Sequence, residues 1–311
     1  MRIVFMGTPD YAVNTLQALI TKGHSVEAVF AQPDKPVGRK HILTAPPVKV
    51  CAIQNNIKVY QPQTLRDGEA ETIIKEINPD VIVVIAYGKI LPKSILEIAK
   101  YGCVNAHASL LPKYRGAAPI QWAIINGETE TGVTTMLMDE GVDTGDILEQ
   151  ATVKIGEDET AEQLFERLSR VSAELILSTL EKLEKDEIKP TNQEENEACY
   201  APIIKKEMAK LDFKNQTAKQ IADAVRGYYS WPCAFFFLDT KRIKVIRAKV
   251  LEEKTLLLPS SVVSSENEIV IACKDGGMIS LLEIQPEGSK PMTAKQFLCG
   301  NTLEAGRILG E

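Results

Sequence analysis

The sequence predicts an α/β protein in which a Rossmann-like, mostly parallel sheet forms an N-terminal domain. A smaller OB-like β-barrel is expected to form a C-terminal domain. Over the first part of the chain, largely apolar runs such as 2–6 and 80–86 alternate with helix-like segments, as strands of a buried parallel sheet do. After residue 209, short β-branched and aromatic runs follow one another between turn residues. The length of 311 residues also fits two domains better than one core.

A shift in composition separates the two parts. Residues 187–208 are rich in Pro, Asn and acidic side chains, which is typical of a linker. We therefore expect a first domain over 1–188, a linker over 189–208 and a second domain over 209–311.

The net charge of −6 is unevenly distributed along the chain. Residues 205–311 hold 16 basic and 13 acidic side chains, a net charge of +3. The remaining residues hold 20 basic and 29 acidic side chains, a net charge of −9. A basic C-terminal part is compatible with an RNA partner but does not require one.

Composition excludes several classes of protein. The sequence has no apolar run of 18 residues, so we expect no membrane span. The first apolar run is too short for a signal peptide. The six cysteines are scattered, without a C-x-x-C pair or a histidine at ligand spacing, which favours reduced thiols over a zinc site or disulfides. We expect a cytoplasmic protein without a metal.

The elements of the first domain follow from apolar periodicity. A single glycine, Gly7, turns the first strand into a helix, so the G-x-G-x-x-G pattern of a dinucleotide site is missing. The run 80–86 is the most apolar and should be the central strand. The expected strands are 2–6, 25–31, 58–60, 80–86, 103–104, 133–138 and 147–155, and the expected helices run to about 22 and over 47–55, 67–77, 117–126 and 160–185.

The connection over 32–47 is unusually long for an α/β unit, whose loops commonly have two to six residues. It is basic and interrupted by Pro and Gly, so its polar half cannot pack as core. Loops of this length are either functional or flexible. We expect a binding loop, with a flexible surface loop as the alternative.

The second domain is expected to contain a helix over 217–229, strands over 234–238, 242–251, 268–273 and 277–285, and one or two helices over 291–304. Trp231, Phe235 and Phe237 could form a platform for stacked bases, but such a cluster is more often core, which we favour. A basic stripe could face phosphates or simply be a solvated surface, and both interpretations stay open. Its members are Lys206, Lys210, Lys241, Arg242, Lys244, Arg247 and Lys249.

The strongest functional pattern begins with the short apolar strand 103–104, which leads into Asn105 and His107. These two residues share one face of the extended segment, because strand side chains alternate with period 2. Asp143 lies in an acidic, Gly-rich loop after the strand 133–138. Each feature alone is commonly structural. Together, at the strand ends where open α/β sheets bind ligands and in a chain with only three histidines, they favour a catalytic site.

The residues around this pattern resemble a known family. Asn105-x-His107-x-Ser109-Leu110-Leu111-Pro112, followed by Asp143-x-Gly145, resembles the signature of folate-dependent formyltransferases. The continuation Lys-Tyr-Arg-Gly-Ala-Ala-Pro-Ile at 113–120 resembles more narrowly the members that act on methionyl-tRNA. The resemblance extends over essentially the whole chain.

The resemblance implies transfer of the formyl group of 10-formyltetrahydrofolate to the free amino group of methionyl-initiator-tRNA, for translation initiation. It implies a turn that contacts the folate, formed by Ser109, Leu110, Leu111 and Pro112. It also implies a pterin pocket lined by Ile85, Tyr87, Gly88, Ile90 and Leu91. For the tRNA, the resemblance offers Arg39 and Lys40 in the long loop, and we add Lys206 and Arg242 from the basic stripe. We expect a monomer with no DNA partner.

Formyl transfer between two nitrogens is acyl transfer through a tetrahedral intermediate. Asn105 would donate to the developing oxyanion, and His107 would donate there or move a proton. Asp143 would orient the imidazole or accept a proton through water. The reaction requires neither a metal nor a covalent nucleophile. Arg115 could reach the tRNA end or the glutamate tail of the folate, which the sequence leaves open.

Other functions fit less of the sequence. A formyltransferase acting on a small amine, such as glycinamide ribonucleotide or an amino sugar nucleotide, or on water, would need neither the basic loop nor the second domain. An RNA-binding module with a regulatory folate or nucleotide would not need Asn105, His107 and Asp143. A nicotinamide-dependent oxidoreductase is disfavoured because this sequence lacks the G-x-G-x-x-G pattern that such an enzyme uses to bind its cofactor.

Overall fold

The computed structural model describes residues 1–38 and 41–309, which form two compact units. The first unit comprises Met1–Ala117, Thr131–Val153 and Phe165–Ala201. The second comprises Ala118–Glu130, Lys154–Leu164 and Pro202–Glu311, so it takes two short segments from the first half of the chain. The domain boundaries expected at 188 and 209 stay a prediction.

The helices begin and end where local signals place them. Pro47 and Pro119 occupy the first position of their helices, where the missing N–H has no cost. Thr217 and Gln220 form a capping box that begins another helix. The helices are α1 (Asp10–Thr21), α2 (Pro47–Gln54), α3 (Glu69–Ile77), α4 (Lys93–Leu96), α5 (Pro119–Ile125), α6 (Ala161–Glu184), α7 (Ala218–Gly227) and α8 (Ala294–Leu298).

The strands divide between the two units. The strands that precede the antiparallel sheet of the second unit are β1 (Arg2–Gly7), β2 (Ser25–Phe30), β3 (Lys35–Val37), β4 (Ile42–Thr44), β5 (Lys58–Tyr60), β6 (Val81–Ile85), β7 (Cys103–His107), β8 (Arg115–Gly116), β9 (Glu130–Leu137), β10 (Ile147–Lys154) and β11 (Tyr200–Ala201). The others are β12 (Phe235–Leu238), β13 (Lys241–Leu251), β14 (Val262–Ser264), β15 (Ile269–Ala272), β16 (Met278–Pro286) and β17 (Met292–Thr293).

A seven-stranded sheet organises the first unit, in the order β10-β9-β7-β6-β1-β2-β5. The pairs β1–β2, β1–β6, β2–β5 and β6–β7 are parallel, and β9 is antiparallel to β7. All of β6 is buried, and it lies fourth of the seven strands. The predicted mostly parallel sheet with this strand at its centre is therefore confirmed.

Both faces of β1 contribute to the core, since its side chains alternate in direction. Val4 and Met6 belong to a buried cluster with Ile74 of α3 and Ile95 of α4. Between α1 and α6, the ring centroids of Tyr11 and Phe165 lie 5.1 Å apart. Apolar burial on both faces explains why the strand sequences are continuous apolar runs.

A separate antiparallel sheet organises the second unit, in the order β12-β13-β16-β15-β14, with β17 also pairing with β16. The expected separate β-rich part is thus confirmed, and the four predicted strands agree with β12, β13, β15 and β16 to within one residue. Its core combines α7 with these strands through residues such as Ile221, Phe236 and Ile279. Trp122 and Ile125 of α5 pack against the same core.

Three expectations are corrected. The connection 32–47, expected to be a loop, contains an antiparallel hairpin, β3–β4, in which Lys35 pairs with Thr44, and its β-branched Val37 and Ile42 favour strands; its role in binding stays a prediction. The helix expected over 291–304 is limited to α8, since Gly300 and Asn301 follow it. Of the three aromatic residues, only Phe235 is core, whereas Trp231 is 56% and Phe237 37% exposed.

None of the helices in the described residues is both long and apolar enough to cross a membrane.

Candidate active site

The end of β7 places the first two candidate residues. Asn105 pairs with Met136 of β9 and, on the other side, with Val84 of β6, and His107 is the last residue of β7. They lie on the same face of the strand, as the period of 2 predicts. The side-chain amide of Asn105 has no hydrogen-bond partner among the described residues, so its N–H groups are available to a substrate.

His107 and Asp143 are brought together. The His107 side chain is buried, and its Nε2–H donates to the Tyr114 carbonyl at 2.9 Å. Its Nδ1 lies 3.6 Å from Oδ2 of Asp143. With Nε2 engaged by a carbonyl, a proton on Nδ1 faces the carboxylate, so the pair can hold a proton and pass it on.

The Asp143 carboxylate is fixed by the backbone around it. Its Oδ2 accepts a hydrogen bond from the Gly116 amide at 2.8 Å, and its own φ of 55° is in the left-handed region. Gly116 has a φ of 114°, and a Cβ there would lie 2.9 Å from the Ala201 carbonyl oxygen. A Cβ on Gly145 would lie 1.7 Å from the Leu137 carbonyl oxygen. Both glycines are therefore required by close backbone approach.

The turn after β7 is held by a hydroxyl and an amide that the sequence did not indicate. The Thr134 hydroxyl donates to the Ser109 carbonyl at 2.7 Å and accepts from the Leu111 amide at 3.0 Å. Gln150 donates to the Leu111 carbonyl at 2.8 Å. The Ser109 hydroxyl donates to the Lys113 carbonyl at 2.6 Å, which fits a role in the turn better than one as a nucleophile. Leu110 and Pro112 complete the turn and are partly buried.

The proposed pterin-lining residues divide into buried and exposed groups. Ile85, Tyr87 and Leu91 are buried, whereas Ile90 is 63% exposed and Gly88 is exposed with a φ of 79°. Since β6 and β7 are parallel neighbours, this segment leaves the sheet at the same edge as Asn105 and His107. Of the residues proposed to line the pterin pocket, Ile90 and Gly88 are the two that present surface there.

Tyr87 contributes packing and a backbone acceptor. Its carbonyl accepts hydrogen bonds from Thr8 at 3.0 Å and from Gln32 at 3.1 Å. Its hydroxyl is buried with no partner among the described residues, and burial raises the pKa of Tyr87 to about 12. The side chain therefore shapes the strand end from within the core.

The guanidinium of Arg115 is bound within the protein. Its side chain is 1% exposed, its Nε donates to Gln193 at 3.0 Å, and its Nη1 lies 2.9 Å from the Glu195 carboxylate. Arg115 therefore does not present a free guanidinium to folate or tRNA. Gln193 and Glu195 fall in the segment whose composition predicts a linker, and no sequence signal pointed to them.

The candidate tRNA-binding residues lie elsewhere. Lys206 and Arg242 belong to the second unit, where Lys206 is exposed. The guanidinium carbon of Arg242 lies 3.7 Å from the centroid of the Phe235 ring, a cation–π contact. Arg39 and Lys40 lie outside the described residues. In the part of the chain that the structure describes, no group of three potential metal ligands is found.

A neutral amide donor and an imidazole on β7, with a carboxylate from the loop after β9 beside them, are the groups that an enzyme of the acyl-transfer class uses. Comparisons with known proteins specify that class. Residues 1–180 match the family model for formyl transferase, and residues 203–302 match that for its C-terminal domain.

Two curated relatives show the particular family. The chain is 48% identical to the methionyl-tRNA formyltransferase of Thermodesulfovibrio yellowstonii, over 98% of this chain and 97% of that protein. It is 47% identical to the methionyl-tRNA formyltransferase of Caldanaerobacter subterraneus, over 99% of this chain and 100% of that protein. The chain belongs to the family of methionyl-tRNA formyltransferases.

Solved structures share the fold at lower identity. An N-formyltransferase from Helicobacter canadensis, in complex with folinic acid and dTDP-3-aminofucose, has a TM-score of 0.68 and 22% identity, over 90% of this chain and 98% of that one. A methionyl-tRNA formyltransferase from Clostridium thermocellum has a TM-score of 0.56 and 23% identity, over 82% of this chain and 95% of that one. At this level of identity the likeness concerns the fold.

Proposed function

We propose that this enzyme transfers the formyl group of 10-formyltetrahydrofolate to the free amino group of methionyl-initiator-tRNA, with Asn105, His107 and Asp143 as its catalytic residues. The observation that carries the proposal is the pairing of Asp143 with His107, which lies on the same strand as Asn105, whose side-chain amide has no hydrogen-bond partner among the described residues. Family membership supports the substrates, since relatives covering nearly the whole chain are methionyl-tRNA formyltransferases.

Each catalytic residue has one role. The Asn105 amide donates to the formyl oxygen as it gains negative charge, and this donor cannot be lost by titration. His107 and Asp143 together take the proton that the attacking amine must lose and make it available to the departing folate nitrogen. Because Asp143 is held by the Gly116 amide, its carboxylate stays directed at the imidazole throughout.

The residues present fit a folate. Ile90 presents apolar surface at the edge of the sheet where Asn105 and His107 lie, and the turn from Ser109 to Pro112 follows directly. The buried Ile85, Tyr87 and Leu91 would support the pterin-binding backbone from below, and the polar edges of the ring would pair with main-chain groups. Bound there, the folate supplies the activated formyl group. The folinic acid bound by the Helicobacter canadensis enzyme is consistent with this proposal.

The tRNA would bind basic side chains of both units. Arg39 and Lys40 are proposed to hold its acceptor end, and Lys206 and Arg242 its backbone. Replacing Lys206 by Ala should weaken tRNA binding and reduce by about one the slope of log KM against log salt concentration. An unchanged salt slope would remove Lys206 from the interface. We propose that the enzyme acts as a monomer in the cytoplasm, where initiator tRNA is used.

The function is tested by incubating the protein with 10-formyltetrahydrofolate and methionyl-tRNA and measuring formyl-methionine by mass. Product that depends on both substrates would support the proposal. Folate binding without product on methionyl-tRNA would refute the acceptor, and small amines such as glycinamide ribonucleotide would be assayed next.

A further inference from the structure

We propose that Gln193 is a positioning residue for the reaction, and that residues 191–201, which have the composition of a linker, form a strap that holds the catalytic carboxylate in place. This inference rests on the proposed role of Asp143. It concerns contacts within the first unit, to which all of these residues belong.

The strap is bonded along its length to the two loops that meet at His107. At one end, the Thr191 and Ile147 backbones exchange hydrogen bonds, and Asn192 donates to Asp146 at 2.6 Å. At the other end, β11 pairs in parallel with β8, which carries Arg115 and Gly116. The strap therefore connects the loop that holds Asp143 to the strand that holds its hydrogen-bond donor.

Gln193 makes the central connection. Its side-chain amide donates to the carbonyl of Asp143 at 2.9 Å and to that of Gly145 at 2.7 Å. Its Oε1 accepts from Nε of the buried Arg115 at 3.0 Å. Both donors and the acceptor are used, so the orientation of the amide is fixed from both ends.

Arg115 in turn is anchored by Glu195, whose carboxylate accepts two hydrogen bonds from Nη1 at 2.9 and 3.1 Å. The guanidinium is 1% exposed, whereas the Glu195 side chain is 76% exposed. The guanidinium is planar and always charged, so it offers Gln193 a hydrogen-bond donor that is held in one position.

The connection matters because Asp143 adopts a conformation that a non-glycine residue rarely takes. Its φ of 55° must be maintained by the surrounding contacts. The two bonds from Gln193 hold the backbone on either side of Thr144, and the carboxylate then remains 3.6 Å from Nδ1 of His107. Without them, we expect the loop to sample other conformations and the carboxylate to leave the imidazole.

The test combines turnover with a double-mutant comparison. Gln193→Met keeps the length of the side chain but removes its hydrogen bonds, and should lower kcat about 10- to 100-fold while KM for both substrates changes less than about two-fold. In an Asp143→Ala background, the same substitution should change kcat less than about two-fold, because its effect passes through Asp143. Equal losses in both backgrounds, or an unchanged kcat, would overturn the proposal.

Controls separate positioning from folding. Gln17→Met makes the same chemical change on the exposed side of α1, where Gln17 has no side-chain partner among the described residues, and should leave kcat unchanged. Gln193→Glu retains an acceptor for Arg115 but directs oxygen at two carbonyls, so it should lower kcat as Gln193→Met does. If Gln193→Met does not fold, Gln193→Glu takes its place in both backgrounds.

Hydrogen exchange gives a readout independent of turnover. Amides of residues 139–148 should exchange at least about 10-fold faster in Gln193→Met than in Gln17→Met, since the loop opens more often. Equal exchange would overturn the proposal. If the wild-type protein forms no formyl-methionyl-tRNA, the proposed function fails, and the exchange experiment still decides whether the strap holds the loop.

Discussion

Thr134 of β9 binds the turn that is proposed to contact the folate, and Thr134→Val tests that connection. The Thr134 hydroxyl is fully buried and makes three hydrogen bonds. It donates to Ser109, and it accepts from the Leu111 amide and from Gln150, both at 3.0 Å. Valine has nearly the same shape but no hydroxyl. The substitution therefore leaves the three partners in place and removes the hydroxyl to which they are hydrogen-bonded.

The expected loss follows from counting those bonds. Each buried hydrogen bond contributes about 1 kcal/mol net, and a partner left unsatisfied costs about 1–3 kcal/mol. Gln150 keeps a second acceptor, the Leu111 carbonyl. The free energy of unfolding should therefore fall by about 3 kcal/mol, less than if all three partners were left unsatisfied. Because the turn is proposed to contact the folate, KM for 10-formyltetrahydrofolate should rise about 10-fold while KM for methionyl-tRNA changes little.

Thr131→Val is the matched control, since Thr131 is buried on the same strand but has no side-chain hydrogen bond among the described residues. It should be neutral or stabilising. Urea unfolding should be followed by circular dichroism, because both tryptophans, Trp122 and Trp231, lie in the second unit. If Thr134→Val unfolds at the same urea concentration as Thr131→Val, the hydrogen-bond argument is wrong.

Three further substitutions test other parts of the molecule. His107→Ala should lower kcat about 10²- to 10⁴-fold because it removes the proposed proton carrier; formyl-methionine yield checks this, and unchanged turnover would exclude the role. Burial raises the pKa of Tyr87 to about 12 from 10.0, so its stabilising contribution is complete below pH 10 and is lost as pH rises towards 12. Tyr87→Phe should therefore lose less stability than the wild type between pH 10 and 12 in urea titrations, and equal losses would contradict this. A Cβ on Gly227 would lie 2.5 Å from Cγ1 of Ile125, so Gly227→Ala should cost about 1–3 kcal/mol in urea titrations, whereas Gly300→Ala, into open space, should not.

The sequence predicted the first unit well because burial on both faces leaves a strong local signal. The strand β6 is a continuous apolar run, and it is also the fourth of seven strands. Four strands of the second unit were predicted to within one residue because their β-branched runs end at turn residues such as Asp239 and Gly277, whereas the short strands β14 and β17 were not predicted.

The sequence could not predict the β3–β4 hairpin, because its side chains are not buried. The side chains of β3 and β4 are all exposed, including Val37, Ile42 and Leu43, so no alternation between core and solvent marks the hairpin. Its only local signal is a few β-branched residues between Pro and Gly, which a loop could equally contain.

The candidate site shows the same limit. Asn105 and His107 could be placed on one face from their spacing alone, since period 2 is local. The spacing of residues along the chain could not predict that Asp143 lies 3.6 Å from His107. This distance depends on how β7 pairs with β9 and on the hydrogen bond from the Gly116 amide. Long-range pairing sets that geometry, whereas the sequence indicated Asp143 only through its place in a Gly-rich loop after a strand and through the family resemblance.

The acidic side chains of residues 187–208 were one reason to expect a linker. In the structure, one of them provides the charge that the buried Arg115 needs. A buried guanidinium is strongly destabilising unless it is paired. Between Leu110 and Trp122 the sequence around Arg115 contains no carboxylate, so a partner must come from a distant part of the chain. Glu195 supplies it from a solvated position, which limits the desolvation to one side of the pair. An acidic side chain from the expected linker thus anchors, through Arg115 and Gln193, the loop that carries Asp143.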